Sequence, residues 1–157
     1  MRKLGVNGFT IKDHGGPGLT VPETAVILYE LSKIDVSLAT FMGVQNSLGL
    51  STVDFLGNEE QRKRFLPDGI ALNTIWSFGL TEPDYGSDAA SLKTTATKTE
   101  GGYLINGKKR WIGNGTICDY VVTFARYEGE VKCFVVARES KGLTTSKIEN
   151  KYGLRLV

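Results

Sequence analysis

Apolar positions recur at helical spacing in the first part of the chain and alternate with polar ones in the rest, with the change near Pro67. Val26, Ile27, Leu28, Leu31 and Ile34 form a stripe that predicts a helix over 25–34, with Pro22 at its start, where a proline is tolerated. Asp35 is placed to cap a second helix over 36–55, and Gly57 to end it. A short charged helix over 59–65 is expected to stop before Pro67, because the residue ahead of a proline is biased out of the helical region. Residues 1–21 read as an extended, glycine-rich lead-in.

From Ile75 onward the pattern is that of strands. Residues 75–80 form a first apolar strand, and 92–98 alternate threonine with other residues as a half-exposed strand does. Gly101-Gly102 is a turn. Asn106-Gly107 between 103–105 and 108–112 has the composition of a hairpin turn, because both central residues accept a positive φ. Residues 119–126 and 131–138 predict another hairpin across Tyr127-Glu128-Gly129-Glu130, and 144–148 a further strand. Consecutive hairpins at this spacing imply a small antiparallel barrel or sandwich. The expected class is therefore α+β: helices over 1–74, then an antiparallel β-barrel or sandwich over 75–157. Tyr152-Gly153-Leu154-Arg155-Leu156-Val157 is apolar and strand-like, so the pattern is expected to continue beyond this sequence.

Composition narrows the function classes. At 157 residues, 41% hydrophobic and 23% charged, the chain suits one globular domain or a piece of a larger protein. A net charge of +2 gives no case for nucleic acid, and the runs Arg62-Lys63-Arg64 and Lys108-Lys109-Arg110 read as solvated faces. Cys118 and Cys133 lack metal-ligand spacing, have no histidine near them, and read as two buried thiols in strands. His14 is the only histidine and lies in a glycine-rich loop, which argues against a histidine dyad or a zinc site. Residues 36–53 carry no charge, but Ser37, Thr40, Gln45, Asn46, Ser47, Ser51 and Thr52 make them a buried helix rather than a membrane span.

Two segments carry the candidate chemistry. Phe78-Gly79-Leu80-Thr81-Glu82-Pro83-Asp84-Tyr85-Gly86-Ser87-Asp88 runs from an apolar strand into a turn rich in backbone N–H groups and small hydroxyls. Lys108-Lys109-Arg110-Trp111-Ile112-Gly113-Asn114-Gly115 follows some two dozen residues later. If the two meet in space, they form a wall for a flat heteroaromatic cofactor. Taken singly, Trp111 is also readable as a core residue at a barrel rim, Ser87 as a turn residue bonding its own backbone, and Asp88 as a cap.

The order of these motifs resembles the acyl-CoA dehydrogenase and acyl-CoA oxidase superfamily over nearly the whole chain. Leu4-Gly5 with Gly15-Gly16-Pro17-Gly18 is similar to the family's N-terminal loop, and Ile34-Asp35-Val36-Ser37 to its helix junction. Gly57-Asn58-Glu59-Glu60-Gln61 with Phe65-Leu66-Pro67 resembles its pre-barrel helix. Leu80-Thr81-Glu82-Pro83 with Gly86-Ser87-Asp88, and Asn106 to Asn114, complete the series. The resemblance implies an N-terminal helical domain, a middle β-barrel and a C-terminal four-helix bundle, with FAD between barrel and bundle. On that reading the chain is truncated, and no catalytic residue is assigned here, because the family's proton-abstracting glutamate belongs to the bundle.

Carried over position by position, the resemblance assigns flavin contacts to Phe78, Gly79, Leu80, Thr81, Ser87, Trp111, Ile112 and Gly113. Thr81 would face the pyrimidine edge of the isoalloxazine, and Trp111 would pack against the ring system. Ser87 also matches the position that contacts acyl-CoA. Gly113 stands where a Thr or Ser hydroxyl is often found near flavin N5, so here only backbone could serve. Ala39 and Thr40 stand on the helix that faces the acyl tail. Glutaryl-CoA dehydrogenases carry an arginine at the place of Ala39, and an alanine cannot pair with a carboxylate. The resemblance therefore implies α,β-dehydrogenation of a short-chain, uncharged acyl-CoA to the trans-2-enoyl-CoA. Trp111-Ile112-Gly113-Asn114 also resembles the short-chain oxidases of plant peroxisomes.

Electron-transfer flavoprotein or O₂ would be the acceptor, and the full-length protein would be a homo-oligomer. Its compartment is left open among peroxisome, mitochondrial matrix and bacterial cytoplasm. Three alternatives stand beside this reading: a non-catalytic flavin or acyl-CoA binding or assembly module, a glutaryl-CoA dehydrogenase type, and a flavin monooxygenase or reductase of the same fold.

Overall fold

The computed structural model describes residues 2–154. Helix α1 spans Val21–Ile34 and begins with a reciprocal cap. The Thr20 N–H donates to the Glu23 carboxylate at 2.8 Å, and the Glu23 N–H reaches back to the Thr20 hydroxyl at 3.5 Å. Asp35 then caps helix α2, Val36–Gly43, by accepting from the Ser37 N–H at 2.7 Å. No residue of α1 is buried, and Val21, Val26, Tyr29 and Ile34 are largely exposed.

The single helix expected over 36–55 is three joined pieces: α2, a π-helical stretch over Val44–Leu50, and α3 over Ser51–Leu56. The π-helical stretch carries Gln45 and Asn46, both fully buried. Their amides are hydrogen-bonded to the chain around them. Asn46 Oδ1 accepts from the Gly8 N–H, and Gln45 Oε1 accepts from the Trp76 N–H at 2.7 Å. A buried polar group without such partners would cost roughly 1–3 kcal/mol.

Helix α4 spans Glu59–Ile70, capped by Asn58 with Gln61 in a second reciprocal box. It runs through Pro67 instead of stopping ahead of it. Tertiary contacts outweigh the local proline bias. Leu66 is fully buried, and the Phe65 ring meets Trp76 edge-on at 5.5 Å and Tyr120 at 5.3 Å. The carbonyls at the end of α4 also find side-chain donors. Asn7 Nδ2 donates to Gly69 O and Ile70 O at 2.8 and 2.9 Å, and Gln45 Nε2 donates to Gly69 O at 3.1 Å.

Five strands follow: β1 Trp76–Gly79, β2 Thr95–Thr99, β3 Gly102–Asn106, β4 Tyr120–Tyr127 and β5 Glu130–Ala137. The α+β organisation is as expected, but the sheet is mixed. β1 lies parallel to the start of β4 (Trp76 opposite Tyr120), and β2 meets β4 in parallel near its end (Thr95 opposite Arg126). β2–β3 and β4–β5 are the antiparallel hairpins. Because β5 occupies one edge of β4, β1 and β2 share the other. Among the described residues, β3 pairs only with β2 and β5 only with β4.

The β4–β5 turn is the one expected, with Glu128 and Gly129 both at positive φ. Asn106-Gly107 is not a hairpin turn. β3 ends at Asn106, and residues 107–119 form an irregular crossing. A Cβ on Gly107 would lie 2.7 Å from Thr94 Cα, so this glycine permits a close approach of two backbones. Neither 108–112 nor 144–148 is a strand. Of the apolar tail, residues 155–157 lie outside the described residues.

The core lies between the helices and the sheet, where Ile11, Leu50, Val53, Leu66, Trp76 and Val122 pack together. Both cysteines are free thiols; Cys133 is half-buried in β5 as expected of a strand residue, whereas Cys118 is buried in the loop before β4 rather than in a strand. Burial raises both, Cys133 to about 11, so neither is poised as a nucleophile. Among the described residues no helix is long and apolar enough to cross a membrane, and no group of three or more acidic, histidine or cysteine side chains could hold a metal.

Candidate functional site

The two segments singled out in the sequence lie side by side. β1 ends at Gly79, and Leu80-Thr81-Glu82 leaves the sheet as a turn closed by reciprocal backbone bonds between Glu82 and Tyr85, at 3.0 and 3.3 Å. The Arg110 N–H donates to Thr81 O at 2.8 Å, and Lys109 Nζ donates to Leu80 O at 3.0 Å. These bonds place Trp111 beside Thr81.

Trp111 and Asn114 both adopt positive φ, 62° and 61°, so the backbone from 111 to 114 folds back on itself. Three side-chain bonds hold that shape. Asn114 is buried, and its Nδ2 donates to Trp76 O at 3.0 Å and Phe41 O at 3.3 Å. Ser77 Oγ donates to Gly113 O at 2.6 Å. The loop is thereby tied to β1 and to the end of α2.

A groove of about 570 Å³ opens between these elements. Phe78, Leu80 and Thr81 line one side, and Trp111, Ile112 and Gly113 another. Thr40, Val44 and Leu48 project from the helical segment, and Lys151, Gly153 and Leu154 close it from the tail. Trp111 is half-exposed in the groove, with the Arg110 guanidinium 4.7 Å from its ring centroid. A second hollow of about 590 Å³ lies within residues 147–152 and contains none of the expected contact residues.

Seven of the expected contact residues thus line one groove: Thr40, Phe78, Leu80, Thr81, Trp111, Ile112 and Gly113. Three do not. Gly79 is buried within β1, where a side chain would press on Val121 and the Val122 carbonyl. Ala39 precedes Thr40 but does not line the groove, and Ser87 is exposed in the turn beyond it. The sequence reading missed Val44 and Leu48. Their signal was present, because 40, 44 and 48 stand four apart and share a helical face. Lys151, Gly153 and Leu154 carried no such signal. The tail reaches the groove through long-range packing.

Outside the groove's lining lies a largely buried ion pair. Lys109 Nζ is 2.9 Å from Glu82 Oε1, with side-chain exposures of 12% and 5%. Glu82 also accepts from the Thr94 hydroxyl at 2.5 Å, the Thr94 N–H at 2.9 Å and the Lys93 N–H at 2.7 Å. Burial alone would raise Glu82. The bonds from Thr94, Lys109 and Lys93 outweigh it and bring the carboxyl down to about 2. Burial lowers Lys109, and its bond to Glu82 opposes that shift.

An isoalloxazine ring system fits this lining. The groove's walls are mainly apolar, an aromatic ring stands at one side, and Thr81 offers a hydroxyl at another. Gly113 is buried, and a Cβ there would lie 2.7 Å from Val44 Cγ2, so the glycine lets this loop close on the helical wall. None of the described lining residues is a carboxylate. Glu82, next to Thr81 in sequence, is saturated with donors and too acidic to act as a general base.

A helical segment is followed by a mixed sheet, with an aromatic-walled groove at the end of its first strand. The chain belongs to the acyl-CoA dehydrogenase family: residues 1–72 match "Acyl-CoA dehydrogenase, N-terminal domain" and 77–157 match "Acyl-CoA dehydrogenase, middle domain". It is 36% identical to an acyl-CoA dehydrogenase of Bacillus subtilis (strain 168), over 98% of this chain and 42% of that protein. It is also 36% identical to the mitochondrial isobutyryl-CoA dehydrogenase of Dictyostelium discoideum, over 96% of this chain and 38% of that protein. Among solved structures, a glutaryl-CoA dehydrogenase of Mycobacterium smegmatis in complex with FADH2 superposes with a TM-score of 0.93 at 33% identity, covering 98% of this chain and 40% of that one. The chain therefore spans about two-fifths of the length of the relatives it matches.

Proposed function

We propose that this chain supplies one wall of the flavin site in an FAD-dependent acyl-CoA dehydrogenase or oxidase. The protein it represents would convert a short-chain, uncharged acyl-CoA to the trans-2-enoyl-CoA. The observation that carries this reading is the convergence of Phe78, Leu80, Thr81, Trp111, Ile112 and Gly113 on one groove. When bound, the flavin would accept the hydride that leaves Cβ of the thioester as the α-proton is removed. The chain's own residues would orient and exclude water. Trp111 would pack against the ring system, Thr81 would present its hydroxyl to the polar edge, and Phe78 and Leu80 would keep the slot dry. The base that removes the α-proton is not among the groove's described lining residues. The chain by itself is therefore expected to be inactive.

The preference for an uncharged acyl group rests on the helical wall. Thr40, Val44 and Leu48 bring no charge to the groove, and Ala39 brings none beside it. Lys151 is the one charged lining residue among those described, and its ammonium is directed at Leu154 O at 2.8 Å. The test is flavin reduction in the full-length protein, followed by loss of the visible flavin band. Butyryl-CoA is expected to bleach the flavin far faster than glutaryl-CoA. A strong preference for glutaryl-CoA would refute the uncharged assignment. Hydrogen peroxide formed on turnover separates an oxidase from a dehydrogenase that passes electrons to an electron-transfer flavoprotein.

A further inference from the structure

We propose that Glu82 and Lys109 are positioning residues: a buried pair, outside the groove, that sets the spacing between its two walls. The link to flavin rests on the function proposed above; the geometry of the pair does not. Neither residue lines the groove, yet each is joined to residues that do. Lys109 directs one ammonium to two acceptors on the opposite segment, Leu80 O at 3.0 Å and Glu82 Oε1 at 2.9 Å. The next residue, Arg110, donates its N–H to Thr81 O at 2.8 Å. Trp111 follows directly. The register of the aromatic wall against the Leu80-Thr81 wall is thus fixed immediately beside the ion pair.

Glu82 extends the junction to a third element. Its four donors come from Lys109, from the N–H groups of Lys93 and Thr94, and from the Thr94 hydroxyl, the last three standing just ahead of β2. The end of β1, the entry to β2 and the aromatic segment therefore meet at one carboxylate. An apolar substitute could fill the same volume, but it could not hold Leu80 O and Thr94 N–H at fixed distances. Breaking one side of such a pair leaves a buried charge without a partner. The expected consequence is a local shift of the 109–111 segment, with the β4–β5 hairpin left in place.

The test uses the ¹⁵N-labelled 157-residue chain and the variants Glu82→Gln, Lys109→Met and Lys109→Arg. Amide exchange of Arg110 is compared with that of the β4–β5 ladder, and the Trp111 indole resonance is followed as FAD is added. Loss of a charge-assisted hydrogen bond is expected to speed Arg110 exchange by about tenfold or more. The ladder should be unaffected, and the FAD dissociation constant should rise by a similar factor. Lys109→Arg, which keeps the cation, should recover most of both effects. Equal acceleration of Arg110 and ladder amides would overturn the proposal, because the pair would then serve only general stability. So would unchanged Arg110 exchange. If Arg110 responds while FAD leaves the wild-type Trp111 indole unmoved, the clamp stands and the flavin reading fails. Should Glu82→Gln not fold, Thr94→Val removes one donor and must give the same local pattern in weaker form.

Discussion

The backbone N–H of Arg110 donates to the carbonyl of Thr81 at 2.8 Å, and this bond brings together two segments that are nearly thirty residues apart in sequence. It turns a strand-end turn and an isolated tryptophan into two sides of one groove. Around it, three kinds of support act together: the Glu82–Lys109 pair, the Asn114 amide, and the Ser77–Gly113 bond.

Acid should loosen this arrangement before it unfolds the core. The folded-state value of Glu82, about 2, lies below its ordinary value of 4.5, so the folded protein binds fewer protons there than the unfolded chain. The contribution is complete above about pH 4.5 and is lost as pH falls towards 2. Urea denaturation of the wild type should show a midpoint falling across that window. Glu82→Gln should be less stable near neutral pH and lack that part of the acid dependence.

Gly49 tests the packing of the helical segment on the sheet. A Cβ at this position would lie 2.6 Å from Trp76 Cβ, and both atoms are close to the main chain. Neither can move aside by a change of rotamer. Gly49→Ala is expected to destabilise the chain by about 1–3 kcal/mol, as overpacked core sites do. A denaturation midpoint equal to that of the wild type would show that the helix can move away from β1 without cost.

Asn114 combines a left-handed backbone with two buried hydrogen bonds. Asn114→Gly removes the bonds but keeps the conformation accessible. Asn114→Ala removes the bonds and adds about 1 kcal/mol or more for placing an alanine at positive φ. The alanine variant should therefore be the less stable of the two in equilibrium unfolding. The reverse order would mean that the loop abandons its left-handed turn at little cost.

Much of the architecture was legible because it is written in local chemistry. Pro22 and Asp35 mark helix starts, the first by its preset φ and the second by a side chain that reaches a free N–H group. Glu128-Gly129 marks its hairpin by tolerance of positive φ. The misreadings arose where distant contacts decide. Pro67 stays within α4 because Phe65 and Leu66 must reach Trp76 and Tyr120. Asn106-Gly107 has the composition of a turn, yet Gly107 is needed for its approach to Thr94. Parallel pairing of β1 and β2 with β4 depends on long crossings that carry no periodic signal. At the groove, the motif residues were legible, and the four-residue spacing of 40, 44 and 48 carried a signal for Val44 and Leu48, while the tail residues Lys151, Gly153 and Leu154 emerged only from packing.

Trp111 and Trp76 give the central claim a direct readout, because one indole is half-exposed in the groove and the other is buried in the core. FAD titrated into the ¹⁵N-labelled chain should move the Trp111 indole resonance together with the amides of Leu80, Thr81, Ile112 and Gly113. The Trp76 indole should stay fixed. Shifts centred elsewhere, or none at millimolar FAD, would contradict the assignment of this groove to the flavin.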